Sequence, residues 1–145
     1  MRVAILMAGL TAGLPATAQD AGDGAALFAQ HCAACHNQGG TGTPGFAPPL
    51  NRPAFWAALG PEAPAYLAGV MTAGLAGTIR VEGETYAGLI MPAQALDDAA
   101  LAAIGDHVLK DLGGQEAGLA PDLVSGTRAA PPSHADLRAM RPDGG

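Results

Sequence analysis

The chain carries the segment Cys32-Ala33-Ala34-Cys35-His36 close behind its first thirty residues. Two thiols at that spacing lie about one helical turn apart, and a histidine follows at once. This is the pattern through which a haem is attached covalently. Each thiol takes one vinyl group, which pins the macrocycle against a single turn and sets His36 under the iron as its proximal ligand. Few features constrain a fold more tightly, because the rest of the chain must then wrap a flat apolar disc. These are the only two cysteines, so no disulfide framework is available.

Two other uses of the same residues compete with this one. A thioredoxin-like dithiol needs a βαβ context around the cysteines, and the sequence offers none. Zinc needs a second pair of ligands at finger spacing, and that pair is absent. Only haem attachment also accounts for the histidine.

The amino terminus bears on where such chemistry takes place. Arg2 is followed by an apolar run from Val3 to Leu14 and then by Ala16-Thr17-Ala18. A basic start, a short apolar core and an A-x-A site predict a secretory signal peptide over residues 1–18, cleaved near Ala18. The run from Val3 to Ala18 contains Pro15 and falls short of the roughly 20 residues that span a bilayer. No later stretch is long and apolar enough for that, so a soluble, exported, periplasmic protein is expected, without a transmembrane segment in its mature form. The formal charge is -6, and the loss of Arg2 makes it more negative. Nucleic-acid binding calls for clustered Lys and Arg, and the few basic residues here are scattered.

At 145 residues the chain has room for one domain and an extension. A first helix is predicted from Asp20 to Gln38, capped by Asp20 or Asp23 and ended by Gly39-Gly40. Between Gly39 and Pro61 glycine and proline dominate, with at most one turn at Ala54 to Leu59. So long an irregular stretch needs a surface to wrap, and a haem supplies one for Phe46, Leu50, Phe55 and Trp56. A second helix runs from Pro64 to Ala73. Ile79, Val81 and Tyr86 then alternate around Gly83, as in a small hairpin. The last long helix begins at Asp97 or Asp98 and reaches Leu112, with Leu101, Ile104, Val108 and Leu112 along one face. Beyond Gly113 the composition turns to Gly, Pro and Ala, with one short helix expected after Ser133, with Asp136 three residues on.

What the iron does depends on its sixth position. A His/Met pair makes an electron-transfer centre, whereas an open position admits a small molecule. His31 adjoins the attachment turn and cannot reach the far face of the ring. Met71 sits in a helical i,i+4 pair with Leu67 and reads as core. His107 lies at the edge of an apolar helix face, and nothing fixes His134 or Met140 near the site. Met91 precedes Pro92, which pushes it out of helical angles into a loop. It is the assigned sixth ligand.

From about Asp23 to Leu112 the chain resembles the class I monohaem cytochromes c of bacterial periplasms. The resemblance rests on the order of its motifs: the Cys32–His36 segment, Pro48-Pro49-Leu50, Gly74-Leu75-Ala76-Gly77, Tyr86-Ala87-Gly88-Leu89-Ile90-Met91-Pro92, and the helix opened by Leu96-Asp97-Asp98. It implies an all-α, cytochrome c-like fold, with three main helices around one covalently attached haem c and long Pro/Gly loops. The domain would cover 19–112 and a partly irregular extension 113–145. The first and last helices would cross tightly, with His107 where the family usually has an aromatic residue. Cys32 and Cys35 would attach the haem, and His36 and Met91 would be its axial ligands. A proline carbonyl of the Pro48-Pro49 pair, assigned to Pro49, would accept the His36 ring N–H. The expected role is one-electron transfer with redox partner proteins, a donor dehydrogenase and an acceptor oxidase or reductase. A haem-based sensor or a peroxidase-like enzyme with a labile sixth ligand is the alternative.

Overall fold

The computed structural model describes residues 22–88 and 90–142. The expected signal peptide and its cleavage site lie outside them. Helix α1 (Gly24–His31) opens at Asp23, whose carboxylate accepts from the Ala25 N–H at 3.0 Å. That bond satisfies one of the donors a helix start leaves over. The attachment helix is interrupted at Cys32, and a further turn, α2 (Ala33–His36), carries the motif. It stops two residues earlier than expected because Asn37 adopts φ 59°, a conformation that no helix continues through.

The Pro/Gly stretch is more ordered than its composition suggests. Its single expected turn is a full helix, α3 (Pro53–Leu59), with Phe55, Trp56 and Leu59 buried. Helix α4 (Ala63–Ala73) follows and is buried along most of its length. Strands β1 (Leu75–Ala76) and β4 (Ile90–Met91) pair antiparallel, with Leu75 opposite Met91. Between them β2 (Ile79–Val81) and β3 (Glu84–Tyr86) form the expected hairpin, with Ile79 opposite Tyr86. Its two-residue turn, Glu82-Gly83, has positive φ at both positions, the arrangement whose twist matches the flanking strands.

Helix α5 (Asp98–Asp106) is capped by Asp97, which accepts from Ala100 N–H at 2.7 Å. It continues to Leu112 in wider π-type turns. Leu101, Ile104 and Val108 are buried along its face. Helices α1 and α5 cross. A Cβ on Gly24 would overlap the Ala103 carbonyl of α5, so the missing side chain is what lets the two backbones approach. At the same crossing His107 packs on Phe28 with ring centroids 5.3 Å apart, and its Nδ1 is 2.7 Å from an Asp111 carboxylate oxygen. The hydrogen bond lies within one helix (i,i+4), and the contact across the crossing is the ring packing of His107 on Phe28.

The segment after Gly113 belongs to the core. Helices α6 (Pro121–Ala129) and α7 (His134–Ala139) lie against α4, and α6 also against α5. Leu119, Val124 and Leu137 are fully or almost fully buried within the main apolar cluster. Leu119 and Leu137 enter notches left by Gly105 on α5 and Gly69 on α4. Asp106 also holds the segment's start, accepting from Leu119 N–H at 2.6 Å. The short helix after Ser133 has the capping box its sequence predicts: Ser133 accepts from Asp136 N–H and the Asp136 carboxylate accepts from Ser133 N–H. The fold is all-α with minor β content, as expected, but built from more helices than three.

Candidate functional site

An apolar cleft of about 280 Å3 opens between the attachment turn, the Pro/Gly loop, α4 and the β1–β4 pair. That is close to the lower bound of ligand-sized cavities, roughly 300 Å3. Cys32, Cys35, His36 and Met91 all line it, although Met91 arrives from a strand far along the chain. Leu67, Val70, Leu75, Ile79 and Trp56 supply much of its apolar wall.

Burial governs two of the polar groups in this cleft. Cys32 is half-buried, and loss of water pushes its thiol up to about 11, with nearby Cys35 adding to the rise. Neither cysteine forms a disulfide. His36 is 7% exposed, and burial lowers its pKa against the smaller opposing effect of a backbone hydrogen bond. That bond runs from the ring Nδ1 to the Pro48 carbonyl at 2.9 Å. A carbonyl oxygen only accepts, so Nδ1 carries the proton, and in the neutral ring Nε2 is left with a lone pair. The acceptor is therefore Pro48 and not Pro49. The loop backbone decides between the two: Gly42 N–H donates to the His36 carbonyl at 2.8 Å and Leu50 N–H to Gly40 at 2.7 Å. Asn37 Nδ2 ties the same loop at Gly42. A Cβ on Gly42 would collide with Pro49 N and the Ala47 carbonyl, so the chain passes there at contact distance and presents Pro48 to the ring.

Met91 is half-buried and held in register by Leu75 across the β1–β4 pair. It is extended, as expected before a proline, but strand-paired where an open loop was expected. The other candidate ligands fall elsewhere, with one exception. Met71 is in the main core and His107 at the helix crossing. His134 and Met140 are outside the cleft, while His31 lines it from the attachment side.

Arg52 and Arg141 also line the cleft, and composition gave no signal of either. Their guanidinium carbons lie 4.8 and 4.9 Å from the centroid of the same Phe55 ring. Arg141 is 7% exposed and donates to the Tyr66 hydroxyl at 2.8 Å. Arg52 pairs with Glu82 at 3.2 Å. Two cations facing one apolar cleft suit an apolar group with anionic ends. Two thiols, an imidazole with a free Nε2, a thioether and two guanidiniums form a donor set that fits a haem, with its carboxylates included. For zinc the set is poor: among the described residues no three His, Cys, Asp or Glu side chains converge.

An all-α chain wound round a cleft that exposes a Cys-x-x-Cys-His turn is built as a small haem-attaching protein. The chain belongs to the cytochrome c family: the family model described as cytochrome c matches residues 21–110. It is 40% identical over 103 residues to a cytochrome c-552 of Thermus thermophilus, covering 71% of this chain and 68% of that protein. A second Thermus thermophilus cytochrome c-552 is 38% identical over 86 residues, which is 59% of this chain and 65% of the relative. Membership implies a c-type haem cofactor. It also classes the chain with electron carriers and not with catalytic enzymes.

Proposed function

We propose that the protein is an exported one-electron carrier holding a single haem c, attached through Cys32 and Cys35 and ligated axially by His36 and Met91. The observation that carries this reading is the convergence of all four residues on one apolar cleft. When bound, haem supplies an iron that cycles between its ferric and ferrous forms. The chain's own residues do the rest. Pro48 holds the His36 ring in the tautomer that offers Nε2 for coordination, a restraint that also raises ligand basicity. Burial favours the neutral form of the His36 ring. The β1–β4 pair presents Met91, whose thioether, sharing the iron with the His36 imidazole, would favour a raised potential. Arg52 and Arg141 would hold the haem carboxylates, and the apolar wall would exclude water.

Nothing in this arrangement calls for a nucleophile or a proton relay, which suits outer-sphere transfer to redox partner proteins such as a dehydrogenase, an oxidase or a reductase. Phe46 and Ile90 are exposed at the cleft, 48% and 69%, and they mark the face on which such a partner would dock. The signal peptide that the sequence predicts supports a periplasmic setting for this exchange, and no helix among the described residues is long and apolar enough to cross a membrane.

The test is spectroscopic. A pyridine haemochrome should report one covalent haem, and the ferric protein should show a thioether-to-iron charge-transfer band that Met91→Ala abolishes. A high-spin ferric spectrum that binds cyanide readily in the native protein would replace the carrier reading with the sensor or peroxidase one.

A further inference from the structure

The two stretches of backbone beside Met91 are each gripped by an arginine from the carboxy-terminal segment. After Met91 the chain runs from Pro92 to Leu96 with no regular secondary structure, so its carbonyls have no ladder to join. Arg128 on α6 supplies donors: Nη2 to the Leu96 carbonyl at 2.8 Å and Nη1 to the Gln94 carbonyl at 3.4 Å. Its Nε bonds Asp98 at 2.9 Å. That ion pair is about a third exposed on both sides, and pairs of this kind add little by themselves. Its use is to aim the guanidinium so that the remaining nitrogens reach the loop.

On the other side, β1 holds Met91 through the Leu75 pairing. Arg138 on α7 donates from Nη1 to the carbonyl of Ala76, the last residue of β1. The Arg138 guanidinium also covers Gly77, where φ is 102° and a Cβ would collide with it. Both arginines lie beyond residues 21–110, the part that the family model matches.

Resting on the reading of Met91 as an axial ligand, we infer that Arg128 and Arg138 are positioning residues that strap the methionine loop shut and so set how readily Met91 leaves the iron. A thioether is released when the backbone that carries it opens, and local opening is governed by the hydrogen bonds that must break. Charge-assisted bonds to carbonyls are the stronger ones in such a segment. The carboxy-terminal segment then does more than fill the core. It tunes ligand exchange from a distance.

The experiment uses the haem-loaded full chain in its ferric form. Imidazole is added, and the decay of the thioether-to-iron charge-transfer band is followed in native protein, Arg128→Met, Arg138→Met and Asp98→Asn. Amide hydrogen exchange of residues 93–96 and denaturant stability are recorded beside it. Each arginine variant is expected to speed imidazole entry roughly tenfold, as loss of a charge-assisted hydrogen bond implies. Arg128→Met should in addition accelerate amide exchange at Gln94, whose N–H bonds the Met71 carbonyl. Asp98→Asn, which keeps both carbonyl bonds, should stay within about twofold of native, as for an exposed pair. Native rates in both arginine variants, with the band present, overturn the strap alone. Equal acceleration in Asp98→Asn and Arg128→Met also overturns it, because the effect would then follow charge and not the carbonyl bonds. If native protein lacks the band, the ligand reading fails and the strap with it.

Discussion

Leu137→Ala tests whether the carboxy-terminal segment is part of the folded core. Leu137 is fully buried. An ideal Cβ on Gly69 would lie 2.6 Å from its Cδ2 and 2.9 Å from Pro132 Cγ, so the side chain packs beside Pro132 into a notch in α4. The substitution removes three carbons, worth roughly 0.8 kcal/mol each in transfer free energy. A cavity term follows, about 24 cal/mol per Å3 that the surroundings fail to reclaim. Collapse is restricted because α7 is held at its start by the Ser133 capping box and beside Leu137 by the Arg138 bond to Ala76. The combined loss should be about 3 kcal/mol, a large share of the roughly 5–15 kcal/mol that holds a domain together.

The assay is urea denaturation of the haem-loaded protein, followed by far-UV circular dichroism and by fluorescence of Trp56, the one tryptophan. Trp56 lines the cleft, and its Nε1 donates to the Leu50 carbonyl at 2.7 Å. Both probes should shift together to lower urea, as a single cooperative unit requires. A loss below about 1 kcal/mol, within reach of a surface change, would refute the packing argument. So would a separate early transition seen by dichroism alone.

Gly24→Ala should destabilise the fold by about 1–3 kcal/mol through overpacking, although alanine is the better helix former by roughly 1 kcal/mol. The added methyl meets the Ala103 carbonyl, which is backbone and cannot rotate away; a variant at or above native stability in the same titration would sink this account. The lowered pKa of Asp136 sets a pH dependence. Its folded-state value lies below the ordinary 3.8 because the Ser133 hydroxyl and N–H both donate to its carboxylate, so the unfolded chain takes up the proton first as pH falls. The Asp136 contribution is present above that ordinary value and is lost as pH falls through the folded one. The gap in urea midpoint between native protein and Asp136→Asn should therefore narrow from pH 6 to pH 3, and an unchanged or wider gap would contradict it.

Elements governed by neighbouring residues were legible without coordinates. Asp23, Asp97 and Ser133 cap helices because a short polar side chain reaches an orphan N–H two or three residues on. The Ile79–Tyr86 hairpin and the Leu101, Ile104, Val108 stripe follow from periodicity in the same way. Features made by residues distant in sequence were not legible. The pairing of Leu75 with Met91 joins two-residue strands too short to carry a pattern. Helices α6 and α7 lie in a Gly/Pro/Ala-rich stretch, and only the notches at Gly105 and Gly69 explain why Leu119 and Leu137 are buried. Choosing Pro48 over Pro49 required the backbone path set by Gly42 and Leu50.

The candidate site divides along the same line. Cys32, Cys35 and His36 are a local device, since their spacing along one turn already dictates what they can bind, and the sequence alone determined that much. Met91 was singled out by Pro92, by setting the other Met and His candidates aside and by resemblance, whereas its place on one cleft with His36 is a tertiary fact. Arg141 is the extreme case. A lone arginine in a polar tail carries no local signal, yet packing of α7 brings it to the cleft wall above Phe55 and beside Tyr66. Attachment chemistry is written in spacing because it occurs within one helical turn. The cleft's far wall and its charge exist only once the chain has closed on itself.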